Sequence, residues 1–299
     1  MTQENRRMSG KLCLVTGATS GIGAATALAL ARAGGTVVGV GRNAKRCARS
    51  CERIVRETGN GKVSFLRADL SVQGEVRELA REVQSCHPRL DLLVNCAGAR
   101  FDARELSADG IEMTFALNHL SCFLLTLLLF EKLADAGRAR VVNVSSAAHR
   151  GVPALDFDDL QGERGYCGRR AYASSKLANL LFTCELNRRL AGTGVAVNAA
   201  APGNVLSRFA LNNGVLGFAR HLAGSLKSGS LVGARKGAQT VIFLASSPQV
   251  EGLTGGYFAA GGPARPSDAA LDAAAAIRLW EASLEVTRLR PSRLLGDLT

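Results

Sequence analysis

Short, near-continuously apolar runs alternate along the chain with longer stretches in which apolar residues recur every three or four positions. The short runs fall at 12–16, 36–40, 63–67, 90–95, 140–145 and 195–199, and a brief one lies at 257–259. Runs of this kind mark strands covered on both faces. The segments between them, 21–33, 44–58, 72–85, 108–134, 170–190 and 233–245, carry helical periodicity. Strand and helix in alternation predict an α/β fold: a Rossmann-like, doubly wound parallel sheet of about seven strands with helices on both faces.

Two segments break the alternation, the polar connection 150–169 and the stretch 205–230. Both follow strand C-terminal ends, where open parallel sheets bind ligands, so they are expected to form the substrate rim and lid. Val205, Leu206, Phe209, Leu211, Val215, Leu216 and Phe218 supply apolar side chains for that lid or for the core. No internal repeat or linker divides the chain, which predicts one domain over 1–299, with its core at 10–260 and a helical extension over 266–299. In that extension an amphipathic helix over 271–286, carrying Trp280, is expected to pack on the domain.

Composition changes this picture little. With 299 residues and 47% hydrophobic positions, the chain can bury a large core without staples. A formal charge of +12 raises the question of nucleic acid or membrane partners. The basic residues are scattered, Arg far outnumbers Lys, and no stripe of interleaved basic and aromatic residues appears. A bias toward GC-rich codons explains the excess, and no nucleic-acid partner is expected. The eight cysteines include no CxxC pair and no zinc spacing, so no metal is expected and the thiols read as reduced and mostly buried. Residues 1–11 are polar, and the most apolar run, 122–130, is too short to span a bilayer. No integral membrane anchor is therefore expected, and the location is read as cytoplasmic.

Candidate chemistry begins at Thr16-Gly17-Ala18-Thr19-Ser20-Gly21-Ile22-Gly23, between the first strand and first helix. Glycines there allow a tight turn and close approach of a pyrophosphate, which rests on the helix N-terminus. The cofactor set is thus Gly17, Thr19, Ser20, Gly21, Ile22 and Gly23, joined by residues after later strands. At the end of the second strand, an NAD enzyme places an acid against the ribose; this chain has Arg42. A guanidinium there favours a 2′-phosphate, and the cofactor is read as NADP(H). Asp69, with Leu70 beside it, can accept from an adenine amino group, while Asn95, Ala97 and Gly98 leave room for the adenine ribose.

Tyr172 and Lys176 lie four apart at the start of a predicted helix, on one face. A free tyrosine is almost wholly protonated at neutral pH, so acid–base work by Tyr172 calls for nearby positive charge, which Lys176 and an oxidised nicotinamide would supply. Either Ser145 or Ser146, at the end of the fifth strand, can hydrogen-bond a substrate oxygen, since alternation turns only one of them toward the site. Asn118, an unfavourable residue inside a helix, is a candidate to hold a proton-relay water through its side chain or backbone.

These residues, in this order, resemble the classical short-chain dehydrogenase/reductases: the TGxxxGIG turn, NxAG at 95–98, Asn118, Ser146, Tyr172 with Lys176, and Pro202-Gly203. The resemblance spans residues 10–260. It implies a catalytic tetrad of Asn118, Ser146, Tyr172 and Lys176, and cofactor contacts along 197–207, including Pro202, Gly203, Val205 and Ser207. It also selects Ser146 over Ser145. The segments VNVSSAAH at 142–149, LDFDDL at 155–160, SKLAN at 175–179 and RLWE at 278–281 are similar to the retinol dehydrogenase and WW-domain oxidoreductase branch. That branch implies NADPH-linked reduction of lipophilic aldehydes such as retinal, or the reverse reaction.

Departures are Cys96 for the usual second Asn, Ala201 where the branch often has His, and Ser207 for a threonine at the nicotinamide amide. The animal enzymes of the branch usually carry an N-terminal membrane anchor, unlike the polar residues here. The expected function is an NADP(H)-dependent oxidoreductase interconverting a small-molecule alcohol and a lipophilic carbonyl. The alternatives are a ketoreductase on a cyclic or polyketide-like substrate and a non-catalytic NADP(H) sensor. The fourth and fifth helices, often a subunit interface in this family, leave room for a homo-oligomer.

Overall fold

The computed structural model describes residues 6–202 and 233–290. Strands β1 (Leu12–Thr16), β2 (Thr36–Gly41), β3 (Val63–Arg67), β4 (Leu92–Asn95), β5 (Arg140–Val144), β6 (Ala196–Ala201), β7 (Tyr257–Ala259) and β8 (Gly262–Pro263) form one sheet. Its order is β3-β2-β1-β4-β5-β6-β7-β8. Every pairing is parallel except β7 with β8. The chain therefore reverses direction across the sheet between β1 and β4, which opens the crevice where such sheets bind ligands. The antiparallel β8 is a two-residue addition to the seven expected strands.

Both sheet faces are covered, and the residues of one strand divide between them. Leu12 and Leu14 enter a core beneath α3 (Gln73–Cys86), whereas Cys13 and Val15 enter the one beneath α1 (Gly21–Arg32). The start of β1 is fixed by Asp91, whose carboxylate accepts from Leu12 N at 2.8 Å and from Lys11 Nζ at 3.0 Å. This carboxylate lies just before β4, which starts at Leu92 and not at residue 90. Helix α2 (Ala44–Thr58) sits on the surface with only Cys47, Ser50 and Ile54 buried, capped by the Asn43 carboxamide and closed by left-handed Gly59.

The helix expected over 108–134 is broken into parts. Ser107 to Gly110 form a turn, and the Glu112 carboxylate then caps α4 (Met113–Phe115) by accepting from Thr114 N and Phe115 N. A π-helical turn (Ala116–Leu120) follows, continuing into α5 (Ser121–Leu128) and α6 (Phe130–Ala134). In the π turn Ser121 N–H reaches back to Ala116 O, and the Ser121 hydroxyl donates to Leu117 O.

After β5 comes a 3₁₀ turn (Ala147–Gly151), then α7 (Gly168–Arg189), which begins two residues before the expected 170. Strand β6 runs to Ala201, beyond the expected 199, because Ala200 and Ala201 find partners in β7. The expected helix over 233–245 divides into α8 (Ala234–Gly237) and α9 (Gln239–Ser246). The terminal helix α10 (Ala273–Thr287), capped by Asp272, packs on α7 with Trp280 buried, as its amphipathic pattern suggests. Among the described residues no helix is long and apolar enough to cross a membrane.

Candidate active site

A cavity of about 1330 Å³ opens along the C-terminal ends of the central strands. Its wall begins at the Gly-rich turn, where Gly17 and Gly21 adopt φ of +66° and +54°. A Cβ on Gly17 would stand 3.0 Å from Ala97 Cα, and one on Gly23 would stand 2.5 Å from Gly17 O. Glycine is thus required here by contact as well as by backbone angle. Thr16, absent from the expected site, secures the turn to the loop after β4: its hydroxyl accepts from Cys96 N at 2.9 Å and Ala97 N at 3.0 Å.

Thr19, Ser20, Ile22, Arg42, Asp69, Leu70, Ala97, Gly98, Ser146, Tyr172, Lys176 and Pro202 share this wall with the glycines. Asn95 does not: its carboxamide is buried and donates to Thr126 Oγ1 and Asn143 Oδ1, tying β4 to β5 and α5. Gly203, Val205, Ser207 and the expected lid, His221 included, lie outside the described residues. At the β2 end, Arg42 Nη1 stands 3.7 Å from Asp69 Oδ2, while Asp69 Oδ1 accepts from Ser71 N and Ser71 Oγ. Asp69 thus already holds its own loop with one oxygen.

The other end holds the acid–base candidates. Ser145 and Ser146 both reach the wall, but Ser145 is buried and donates to Lys176 O at 2.8 Å, whereas Ser146 hydrogen-bonds the Tyr172 phenol. The Ser145 hydroxyl is thus spent on the backbone of α7, which favours Ser146 as the one to meet a ligand. Lys176 Nζ donates to Val144 O at 3.0 Å and lies 5.6 Å from the Tyr172 ring centroid.

Tyr172 as a whole is partly exposed, but protein surrounds its hydroxyl, and that burial pushes its pKa up to about 12; the Ser146 hydrogen bond and the Arg100 charge pull the other way. The expected lowering by Lys176 is therefore not a property of the protein alone. Burial brings Lys176 itself down to about 8. A phenol above its ordinary value and an ammonium near neutrality suit proton donation to a developing alkoxide better than proton removal from an alcohol.

Asn118 lies in the π turn, beside the cavity but not on its wall. Its Nδ2 donates to Ala99 O and Ser175 Oγ, and its Oδ1 accepts from Ala99 N. The side chain is engaged by protein, which leaves the backbone as the part of Asn118 that could hold a relay water. Arg100, Arg169 and Arg170 also reach the wall and were missed. For Arg100, the position directly after NxAG-Ala was the available signal. His149 does not border the cavity: it is buried, donates through Nδ1 to Ser146 O, and accepts at Nε2 from Ser267 N.

The family model for short chain dehydrogenases matches residues 11–214, across the turn, the tetrad positions and β6. The chain is a short-chain dehydrogenase/reductase. Within this family it groups with the retinol dehydrogenases. It is 39% identical to mouse retinol dehydrogenase 12 over 94% of this chain and 88% of that one. It is also 38% identical to human retinol dehydrogenase 13, covering 94% and 85% of the two chains. A Mycobacterium paratuberculosis protein of solved structure superposes with a TM-score of 0.75 at 31% identity, over 95% of this chain and 96% of that one. The Pseudomonas aeruginosa RhlG/NADP complex gives 0.69 at 28% identity, over 88% and 99%.

Short-chain dehydrogenase/reductases are oxidoreductases that bind a nicotinamide cofactor. The residues here fit one: the glycine cradle at the N-terminus of α1 suits a diphosphate, and the cavity continues from it to Tyr172.

Proposed function

We propose that this short-chain dehydrogenase/reductase is an NADP(H)-dependent enzyme that interconverts an alcohol and a lipophilic, retinal-like aldehyde or ketone. The observation that carries this reading is the Tyr172 phenol, hydrogen-bonded by Ser146 on the wall of the cavity that also holds the glycine cradle. Arg42, Asn43 and Arg46 line its β2 end, and Asp69 is the one carboxylate among the described wall residues. A guanidinium on a 2′-phosphate is worth about 1.5–3 kcal/mol, or roughly ten- to hundredfold for NADP over NAD. The lipophilic substrate rests on the retinol dehydrogenases to which the chain is similar.

In this reading NADPH, when bound, supplies the hydride. Ser146 donates a hydrogen bond to the carbonyl oxygen, and Tyr172 Oη gives it a proton as negative charge develops. Lys176 holds positive charge near Tyr172 and binds the nicotinamide ribose. Asn118 fixes the Ala99 peptide and Ser175 around them. One hydride and one proton convert the carbonyl to the alcohol, and Tyr172 is reprotonated from solvent. We place the protein in the cytoplasm, as a single catalytic domain.

The test is NADPH oxidation by the purified protein with retinal, simple aldehydes and cyclic ketones, beside Tyr172→Phe. Retinal turnover that disappears with the phenol is expected. Turnover of cyclic ketones alone would move the substrate to a biosynthetic ketone, and turnover unaffected by Tyr172→Phe would remove Tyr172 from the chemistry.

A further inference from the structure

We propose that the carbonyl substrate carries a carboxylate, received at the catalytic end of the cavity by Arg100 together with Arg169 and Arg170. The proposal rests on the reductase reading above and goes beyond it: retinal has no acidic group, and the preferred substrate is a lipophilic carbonyl compound that carries one.

The charge on the cavity wall is lopsided. Among the described residues its only carboxylate, Asp69, lies at the β2 end, while the catalytic end presents Arg100, Arg169, Arg170 and Lys176. Lys176 gives one of its three donors to Val144 O, and the function proposed above assigns it to the cofactor. Arg100 is held where a ligand would meet it: it follows Ala99, whose peptide Asn118 grips on both sides, and its side chain is only 17% exposed. Its Nε donates to Asp102 Oδ1 at 3.0 Å, but Asp102 lies off the wall, with its side chain 36% exposed. That ion pair offsets part of the Arg100 charge. The charge of Arg100 is felt at the Tyr172 hydroxyl, which places it close to where the carbonyl would react.

Arg169 and Arg170 lie in the first turn of α7, three and two residues before Tyr172. Cations at a helix N-terminus oppose the macrodipole, and this turn has no acidic residue to offset them. The Arg170 guanidinium donates to Gly165 O, and neither arginine forms an ion pair with a carboxylate among the described residues. A planar carboxylate complements such guanidinium groups by charge-assisted, forked hydrogen bonds. The diphosphate cradle is at the other end of the cavity, so these arginines are not placed to hold it.

The experiment compares 4-formylbenzoate with its methyl ester, which share the reacting aldehyde. NADPH oxidation and NADPH affinity are measured for the wild type, Arg100→Met, Arg100→Lys and the exposed double variant Arg169→Gln/Arg170→Gln. The wild type is expected to favour the acid by about tenfold or more in kcat/KM, and Arg100→Met to bring that ratio near one. Arg100→Lys should keep part of the preference and the double variant should reduce it, with NADPH affinity unchanged throughout. The ratio cancels any general effect of a substitution on Tyr172 or on folding. Equal turnover of acid and ester by the wild type overturns the proposal. So does an unchanged ratio accompanied by weakened NADPH binding, which would assign Arg100 to the cofactor. If neither compound is reduced, the reductase reading is what fails on these probes. Calorimetric binding of the pair to the protein–NADPH complex then decides: preference for the acid supports the proposal, and no preference overturns it.

Discussion

Asn118 closes a two-point clasp on Ala99, accepting from its N–H and donating to its C=O, each at 2.9 Å. The remaining donor reaches Ser175 on α7, so one carboxamide joins the loop after β4 to the helix of Tyr172 and Lys176. Removing it strands buried partners. Asn118→Leu is expected to cost about 1–3 kcal/mol for the groups left unsatisfied, with a lower melting temperature and weaker NADPH binding. Thermal melting and a fluorescence titration check both; a variant with native stability and native affinity would show the clasp to be redundant.

The protonation states of Tyr172 and Lys176 give the reductive reaction a pH signature. Tyr172, at about 12 in the protein alone, keeps its proton throughout the neutral range. Lys176, at about 8, holds its charge below that pH and loses it above. Carbonyl reduction needs the protonated phenol and is helped by the charged amine. Its kcat/KM should therefore be level at neutral pH and fall as pH rises through about 8. A reductive rate that climbs with pH across the same window would contradict the assignment.

Cofactor choice is tested at Arg42. Its side chain is 70% exposed and touches Asp69 only at 3.7 Å, so its loss should disturb the fold little. Arg42→Ala is expected to weaken NADPH by roughly ten- to hundredfold and NADH far less. Equal effects on the two cofactors would refute the 2′-phosphate contact.

Acid sensitivity should trace in part to His119. The ring is buried beside Phe115, Phe123 and Phe182, and its Nε2 pairs with Ser283 Oγ on α10 at 2.9 Å. Burial lowers its pKa from 6.5 to about 4, against a smaller opposing contribution from Asn179. Between those values the unfolded chain binds a proton that the folded one excludes. The stabilisation is thus complete above pH 6.5 and is lost as pH falls toward 4. His119→Gln should flatten this part of a melting-temperature profile; an unchanged slope would assign the sensitivity to other groups.

Much of this was readable in advance because the determining interactions are local. Strands such as Leu12–Thr16 are buried on both faces, so their apolar run stands out without reference to the rest of the chain. The spacing of Tyr172 and Lys176 needs only one helix to put them on one wall. By contrast, the apolar stretch ending at residue 134 hid a turn at Ser107–Gly110, a Glu112 cap and a π turn. The Asp109-Gly110 pair was the overlooked punctuation there. The inward turn of Asn95 and the clasp of Asn118 depend on partners 31 and 48, or 19 and 57, residues away. No local pattern encodes such pairs. Likewise the rise in the Tyr172 pKa depends on enclosure by the folded protein, which the YxxxK spacing does not carry.

Trp280 is the chain's single tryptophan, set between Phe123 and Phe182 with the Arg189 guanidinium 4.5 Å from its ring. Phe182 and Arg189 belong to the same helix as Tyr172. Its emission is therefore a native optical gauge of how the terminal helix seats against the catalytic one, readable without attaching a dye. Detachment of that helix would redden the spectrum before the sheet itself gives way.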